Sequence, residues 1–231
     1  MKNLFYVALA STKTIAKLVL NRGVLRSYGH QGEDAVLQGM LKWVKKGTYV
    51  DVGAYHPVLY SNTYAFYQKG WRGIVIDPNI DMRPLYTLMR PADRFIHAAV
   101  GERAEERPYY MFDDGAYNSF DEGRARSWKA TRGLEIRETR MVAFKPLSQI
   151  LSEQGIKSID FLNIDVEGFD FEVLKTHDWS IPTRVIAIED ETFNPDQPRE
   201  NAIYAYLHEK GYILAGLAGL TLLFEKPKTT A

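Results

Sequence analysis

Thr48-Tyr49-Val50-Asp51-Val52-Gly53-Ala54 is the stretch from which the rest of the chain can be read. Its first five residues are rich in β-branched and aromatic side chains, which suit a strand. An acid sits near the end of that strand, and the glycine that follows permits a tight turn and a close backbone approach to a ligand. On its C-terminal side a helix is expected over Ser61 to Gln68, ended by Gly70. A second apolar strand, Gly73-Ile74-Val75-Ile76, is closed by Asp77-Pro78. On the N-terminal side Glu33 to Lys45 reads as a helix, with Ala35, Val36, Leu37, Met40, Leu41 and Val44 on one stripe.

The alternation continues outward. A third strand is expected over Arg94 to Val100, and two more at Pro108 to Phe112 and Arg140 to Phe144. Between those two lies a polar, poorly periodic segment, about 113–139, which reads as an irregular lid or acceptor-binding insertion. Pro146 opens a helix to Gln154, and Ile159 to Ile164 is an apolar strand ending in Asp165. Arg184 to Ile188 is the next strand and ends in Glu189-Asp190. A helix around Asn201 to Lys210 precedes a hairpin, Tyr212 to Leu217 and Leu220 to Phe224, turned at Gly219. Strands alternating with helices build a parallel sheet from βαβ units. The expected fold is therefore α/β, a doubly wound and mostly parallel seven-stranded sheet with an antiparallel C-terminal hairpin.

With 231 residues the chain suits one large domain, spanning 27–231, behind an N-terminal segment 1–26. The 29 basic and 29 acidic side chains cancel, so no overall field points to nucleic acid. Cysteine is absent, which removes disulfides and thiolate chemistry and agrees with a cytoplasmic location. The apolar run at the N-terminus is far below the ~20 residues of a membrane span. Lys2 to Leu20 reads as an amphipathic helix with two open uses: packing on its own domain or a partner subunit of a homo-oligomer, or lying on a membrane surface.

In an open α/β sheet ligands bind beyond the carboxyl ends of the strands. Asp51, Asp77, Asp165 and the pair Glu189-Asp190 stand at those ends and are expected to face one crevice. The dinucleotide series G-x-G-x-x-G is missing, because Ala54, Tyr55 and His56 occupy the loop, so no nest for a pyrophosphate is offered. S-adenosylmethionine has no phosphate and needs only one such glycine. Asp77, 26 residues after Asp51, stands where a carboxylate would accept hydrogen bonds from both ribose hydroxyls.

Five blocks in order carry a resemblance that spans almost the whole chain from Tyr28. They are Gly32-Glu33-Asp34, Val50-Asp51-Val52-Gly53-Ala54, Ser61-Asn62-Thr63, Gly70-Trp71-Arg72-Gly73 with Ile76-Asp77-Pro78, and Phe161-Leu162-Asn163-Ile164-Asp165-Val166-Glu167-Gly168. Together they resemble the FkbM-type methyltransferases, a Rossmann-like class I fold. The resemblance implies that Gly53 and Ala54 line the methionine part of the cofactor, Asp77 the ribose, and Ala99-Val100 the adenine edge. It places Ser61, Glu33 and Asp34 near the amino-acid end. The chain departs from the family pattern at His30, where many members carry Gln, and at Tyr55-His56-Pro57, where many carry an Asn and a second Gly.

Methyl transfer to a hydroxyl requires in-line alignment and removal of a proton. Two devices are visible: His56 as general base, or Mg²⁺ held by Asp165, Glu189 and Asp190. Asp165, Glu167, Glu189 and Asp190 are expected to handle the acceptor. The acceptor is expected to be a small molecule or glycan, and Arg124, Arg126, Lys129, Arg132 and Arg137 would suit an anionic one. The alternative is an inactive module that binds the cofactor or a partner. Tyr206 and Lys210, a Tyr-x-x-x-Lys pair, read as an amphipathic surface helix.

Overall fold

The computed structural model describes residues 25–227. The helix expected over Lys2 to Leu20, with its membrane or partner contact, lies outside the described residues. Seven strands form one sheet: β1 (Thr48–Val52), β2 (Arg72–Asp77), β3 (Arg94–His97), β7 (Ile159–Ile164), β8 (Thr183–Glu189), β9 (Ile213–Ala218) and β10 (Thr221–Glu225). Their order is β3-β2-β1-β7-β8-β10-β9. The first five are parallel and β10 runs antiparallel to both β8 and β9. The order reverses at β1, between β2 and β7, so a crevice opens beyond its carboxyl end.

Both faces of the sheet are covered, which is why its strands read as nearly continuous apolar runs. Val50, Val52, Ile74, Ile76, Leu162 and Ile186 pack on one side against α5 (Leu147–Glu153), α6 (Asp170–Lys175) and α7 (Ala202–Glu209). Tyr49, Val75, Phe161 and Ala187 pack on the other against α1 (Glu33–Met40), α2 (Tyr64–Gln68) and α3 (Arg83–Met89). Each fully buried Leu, Ile or Phe contributes about 1.5–3 kcal/mol. Among the described residues no helix is long and apolar enough to cross a membrane.

Three expectations need correction. The strand read over Arg94 to Val100 is divided at Ala98. Arg94–His97 stays in the main sheet, while Ala99–Val100 (β4) pairs with β6 (Glu138–Lys145). Strands β4, β6 and β5 (Glu105–Met111) make a separate small sheet, in the order β4-β6-β5. The insertion is not irregular either, since Glu122–Arg132 is an eleven-residue helix, α4. Asp121 caps it by accepting from the Arg124 N–H at 2.9 Å, and Gly133 ends it at φ 66°. Only Ala125 is buried along α4, so apolar periodicity carried no signal there. Finally, the helix from Glu33 stops at Met40.

Candidate active site

A cavity of about 880 Å³ opens beyond the carboxyl ends of β1, β2 and β7, with the small sheet and α4 as its lid. That volume is ample for a nucleoside cofactor beside an acceptor. Gly53 has φ 79°, and a Cβ there would overlap the Asp165 carbonyl oxygen. The turn after β1 and the loop after β7 are therefore in direct contact, and only glycine allows it. Among the described residues Tyr55, Tyr60 and Glu167 are the non-glycine ones with positive φ, at 43°, 59° and 58°, and all three line the cavity. Such strain persists only where the surroundings over-determine it, typically at functional sites.

Asp77 ends β2 with both oxygens oriented. Its carboxylate accepts from Tyr55 N and Asn79 N, each at 2.7 Å, and burial raises its pKa to about 6. Next to it Ile76, Ala98, Ala99, Val100 and Phe144 form an apolar wall suited to a purine. At the opposite end the buried Glu33 and Asn62 line the cavity.

Asp165 lines the cavity beyond Gly53 and is hydrogen-bonded to Glu189 at the end of β8. Burial, then the facing Glu189 carboxylate, raises the pKa of Asp165 well above the carboxylate range. Burial, followed by repulsion from Glu167, raises Glu189. Burial and the like charge of its neighbour thus bias each carboxyl toward its protonated form. The loop between them and α6 is strapped by Asp170, whose carboxylate accepts from Val166 N at 3.1 Å and Gly168 N at 3.0 Å.

Other expected residues lie elsewhere. Asp51 does not face the crevice: it is 2% exposed, shares a sheet face with Tyr49, and accepts from Thr63 Oγ1 and Asn163 Nδ2. Strand alternation explains this, because Val50 and Val52 occupy the opposite face. Ala54 belongs to the core, and its carbonyl accepts from the Tyr86 hydroxyl. Ser61 is buried against Arg90 and the start of α2, and Asp34 holds Ser27, Tyr28 and Gly29. His56 Nδ1 accepts from Val58 N and Leu59 N, so its lone pair closes a turn. Asp190 accepts from Thr192 and Asn201 and is turned away from Asp165. The three acids expected around Mg²⁺ thus do not converge. Among the described residues no group of three or more such side chains is arranged to hold a metal ion.

Arg90, unremarked in the sequence, is 1% exposed. It pairs with Asp93 at 2.7 Å and donates to Tyr49, Ser61, Thr63 and the Pro57 carbonyl. It thereby ties the end of α3 to the loop that presents Tyr60 and Asn62. The lid is fastened on both sides of the crevice. Arg137 and Arg140 pair with Asp81 on the Asp77 side, and Arg124 donates to the Glu167 carbonyl at 3.1 Å on the Asp165 side. Arg126 and Lys129 pair with lid acids instead, and Arg132 donates to the Tyr117 hydroxyl. Arg124→Met is expected to release the second fastening and speed proteolysis of α4 by about tenfold, the loss of one hydrogen bond to a charged group. Arg126→Met on the same helix serves as the control, and equal cleavage of the two variants would refute the assignment.

An open α/β sheet with a cavity at its switch point, a buried acid ending β2, an apolar wall beside it and a single glycine turn offers room for a nucleoside and no nest for a pyrophosphate. The chain belongs to the FkbM methyltransferase family: the sequence model described as Methyltransferase FkbM domain matches residues 51–214. It is accordingly an S-adenosylmethionine-dependent methyltransferase. A search of curated proteins finds no match. Among solved structures the chain is similar to 1,6-didemethyltoxoflavin-N1-methyltransferase of Burkholderia thailandensis, solved with 1,6-didemethyltoxoflavin and S-adenosylhomocysteine. The identity is 14% and the TM-score 0.43, with 96% of this chain and 89% of that chain covered.

Proposed function

We propose that the chain transfers a methyl group to a hydroxyl of a sugar ring or related polyhydroxylated natural product. Asp165, hydrogen-bonded to Glu189, takes up the proton. The observation that carries this reading is the position of Asp165: in the cavity, beyond Gly53, on the side of β1 away from Asp77 and the purine wall. Bound S-adenosylmethionine supplies an electrophilic methyl group on sulfur. Asp77 holds the ribose hydroxyls, and Gly53 leaves room for the chain of the cofactor. Asp165 accepts the acceptor's proton while passing its own to Glu189, so the pair never carries two full negative charges. Tyr60 and Phe169, 61% and 49% exposed, offer flat apolar faces on the cavity for a ring.

Release of S-adenosylhomocysteine during incubation with a panel of sugars and nucleotide sugars tests this reading. Cofactor binding with no turnover on any hydroxyl acceptor would instead support a binding module. Asp77→Ala is expected to weaken S-adenosylhomocysteine binding by about 1.5–3 kcal/mol, the worth of hydrogen bonds to a charged group. Because burial raises Asp77 to about 6, its ionised form is lost as pH falls through that value. Affinity should fall in the same direction, and calorimetry across pH 5–8 (roughly one unit to either side and beyond) should show the dependence vanish in Asp77→Asn. A pH dependence that survives in Asp77→Asn would assign it to another group.

A further inference from the structure

One buried carboxylate holds the loop that leads from Asp165 into α6. Asp170, the first residue of that helix, is 4% exposed, and its two oxygens are spent on different peptide groups. Oδ1 accepts from Val166 N at 3.1 Å and Oδ2 from Gly168 N at 3.0 Å. The first of these peptides is the one that follows Asp165. Its carbonyl oxygen is the atom packed against Gly53, and the Asp165 N–H donates to Val52 O at 3.0 Å. The backbone of Asp165 is thereby fixed on both sides, by β1 and by Asp170. The second peptide joins Glu167 to Gly168, and its carbonyl is the oxygen to which Arg124 of the lid donates at 3.1 Å. A cation on α4 and a carboxylate on α6 thus grip the two ends of one peptide dipole, which strengthens both bonds. Both residues of that peptide are left-handed, Glu167 at φ 58° and Gly168 at φ 96°. The conformation is costly for a glutamate and persists only while its surroundings hold it.

We propose that Asp170 is a positioning residue that couples docking of the lid helix α4 to the alignment of Asp165. Its consequence for the chemistry rests on the reading of Asp165 as the base. When α4 leaves, the Glu167 carbonyl loses Arg124 and the strained peptide relaxes. Gly168 N then leaves Oδ2, and a buried carboxylate short of one donor shifts to recover it. The other oxygen holds the peptide of Asp165, so that shift turns the base out of line. With α4 docked, the same chain of bonds sets Asp165 in place, and the proton acceptor is complete only when the site is covered.

Three variants of the full chain test the coupling with no acceptor present: Asp170→Asn, Arg124→Met and the two together. Asn keeps the shape of Asp170 but leaves one acceptor oxygen for two N–H groups. The readouts are proteolysis of α4 and hydrogen exchange at residues 165–168. Asp170→Asn is expected to speed cleavage of α4 by about fivefold or more, although its own bonds go to Val166 and Gly168. Arg124→Met should speed exchange of the Val166 amide by a similar factor, although its bond is to Glu167. The double variant should fall short of the product of the two, because both changes open one unit. Exchange within β7 should stay at the wild-type rate, which separates opening of the loop from global unfolding. Cleavage of α4 unchanged by Asp170→Asn, or exchange at Val166 unchanged by Arg124→Met, would overturn the proposal and leave Asp170 a local strap. Should Asp170→Asn fail to melt cooperatively, the exchange data for Arg124→Met decide alone, since Arg124 is exposed. Turnover on a hydroxyl acceptor from the sugar panel addresses Asp165 separately. Asp170→Asn should lower it in the wild type and add little in Asp165→Asn. Equal losses in both backgrounds, with cleavage and exchange still coupled, would take Asp165 out of the chemistry and leave the link between lid and loop standing.

Discussion

Asp165→Asn is expected to lower turnover by about 10²–10⁴, the usual worth of a positioned general base, while S-adenosylhomocysteine affinity stays within about threefold. In the proposed reaction the acceptor is an alcohol, whose proton is held far above neutral pH, so its oxygen would need a nearby acceptor as the new bond forms. Asp165 follows β7 and lines the cavity beside Gly53, and Glu189 behind it is the group that would take the proton it gives up in the proposed relay. The amide of Asn cannot relay a proton in this way, yet it keeps the shape and can still hydrogen-bond to Glu189. The cofactor contacts proposed above lie on other strands, chiefly at Asp77, so calorimetry should register little. Single-turnover kinetics beside calorimetry make the check. Full turnover in the variant would remove Asp165 from the chemistry, and a parallel loss of cofactor affinity would make it a cofactor residue.

Gly53→Ala is expected to be the most damaging small substitution in the site, at about 3 kcal/mol or more of stability. Two costs add. A left-handed backbone costs an L-residue about 1–2 kcal/mol, and Gly53 sits at φ 79°. The added methyl would also overlap the Asp165 carbonyl oxygen, which is backbone and cannot rotate away. Overpacking of this kind typically costs another 1–3 kcal/mol. Because the clash joins the turn after β1 to the loop after β7, relief of it must move Asp165. Cofactor affinity and turnover should therefore fall together with the midpoint of urea unfolding. Gly39→Ala, on α1 where a Cβ meets no atom within 4 Å, is the control. A Gly53→Ala protein as stable as the wild type would show that the two loops separate freely.

Much of this molecule is readable in the chain. Ile159 to Ile164 is a strand with the very bounds expected, Asn201 caps the helix that follows it in the expected place, and the hairpin turns at Gly219 with φ 60°. These features follow from periodicity, capping and turn chemistry, all of which act over a few neighbouring residues. The same local signals placed Asp77 and Gly53 at strand ends, and Asp165 and Glu189 at two adjacent ones.

Tertiary structure decided the rest. Asp51 and Asp77 look alike in sequence, each a carboxylate closing an apolar run, yet one is turned into the core and the other into the cavity. In a strand buried on both faces apolar alternation is absent, so the sequence does not reveal which face the acid takes; the fold does, by bringing Thr63 ahead of α2 and Asn163 on β7 to it. Ala98 divides the stretch from Arg94 to Val100 because its two ends pair into different sheets. The helix α4 was hidden because it buries one alanine and is carried by its caps. Tyr55, Tyr60 and Glu167 bear no local mark of a left-handed backbone. His56 and Asp190, attractive by position, are occupied by their own turns, whereas Asp165 and Glu189 meet because β7 and β8 are neighbours in register. Local sequence determines which elements form and where they stop. The sharing of buried hydrogen-bond partners among distant segments determines which of their polar residues are left free to do chemistry.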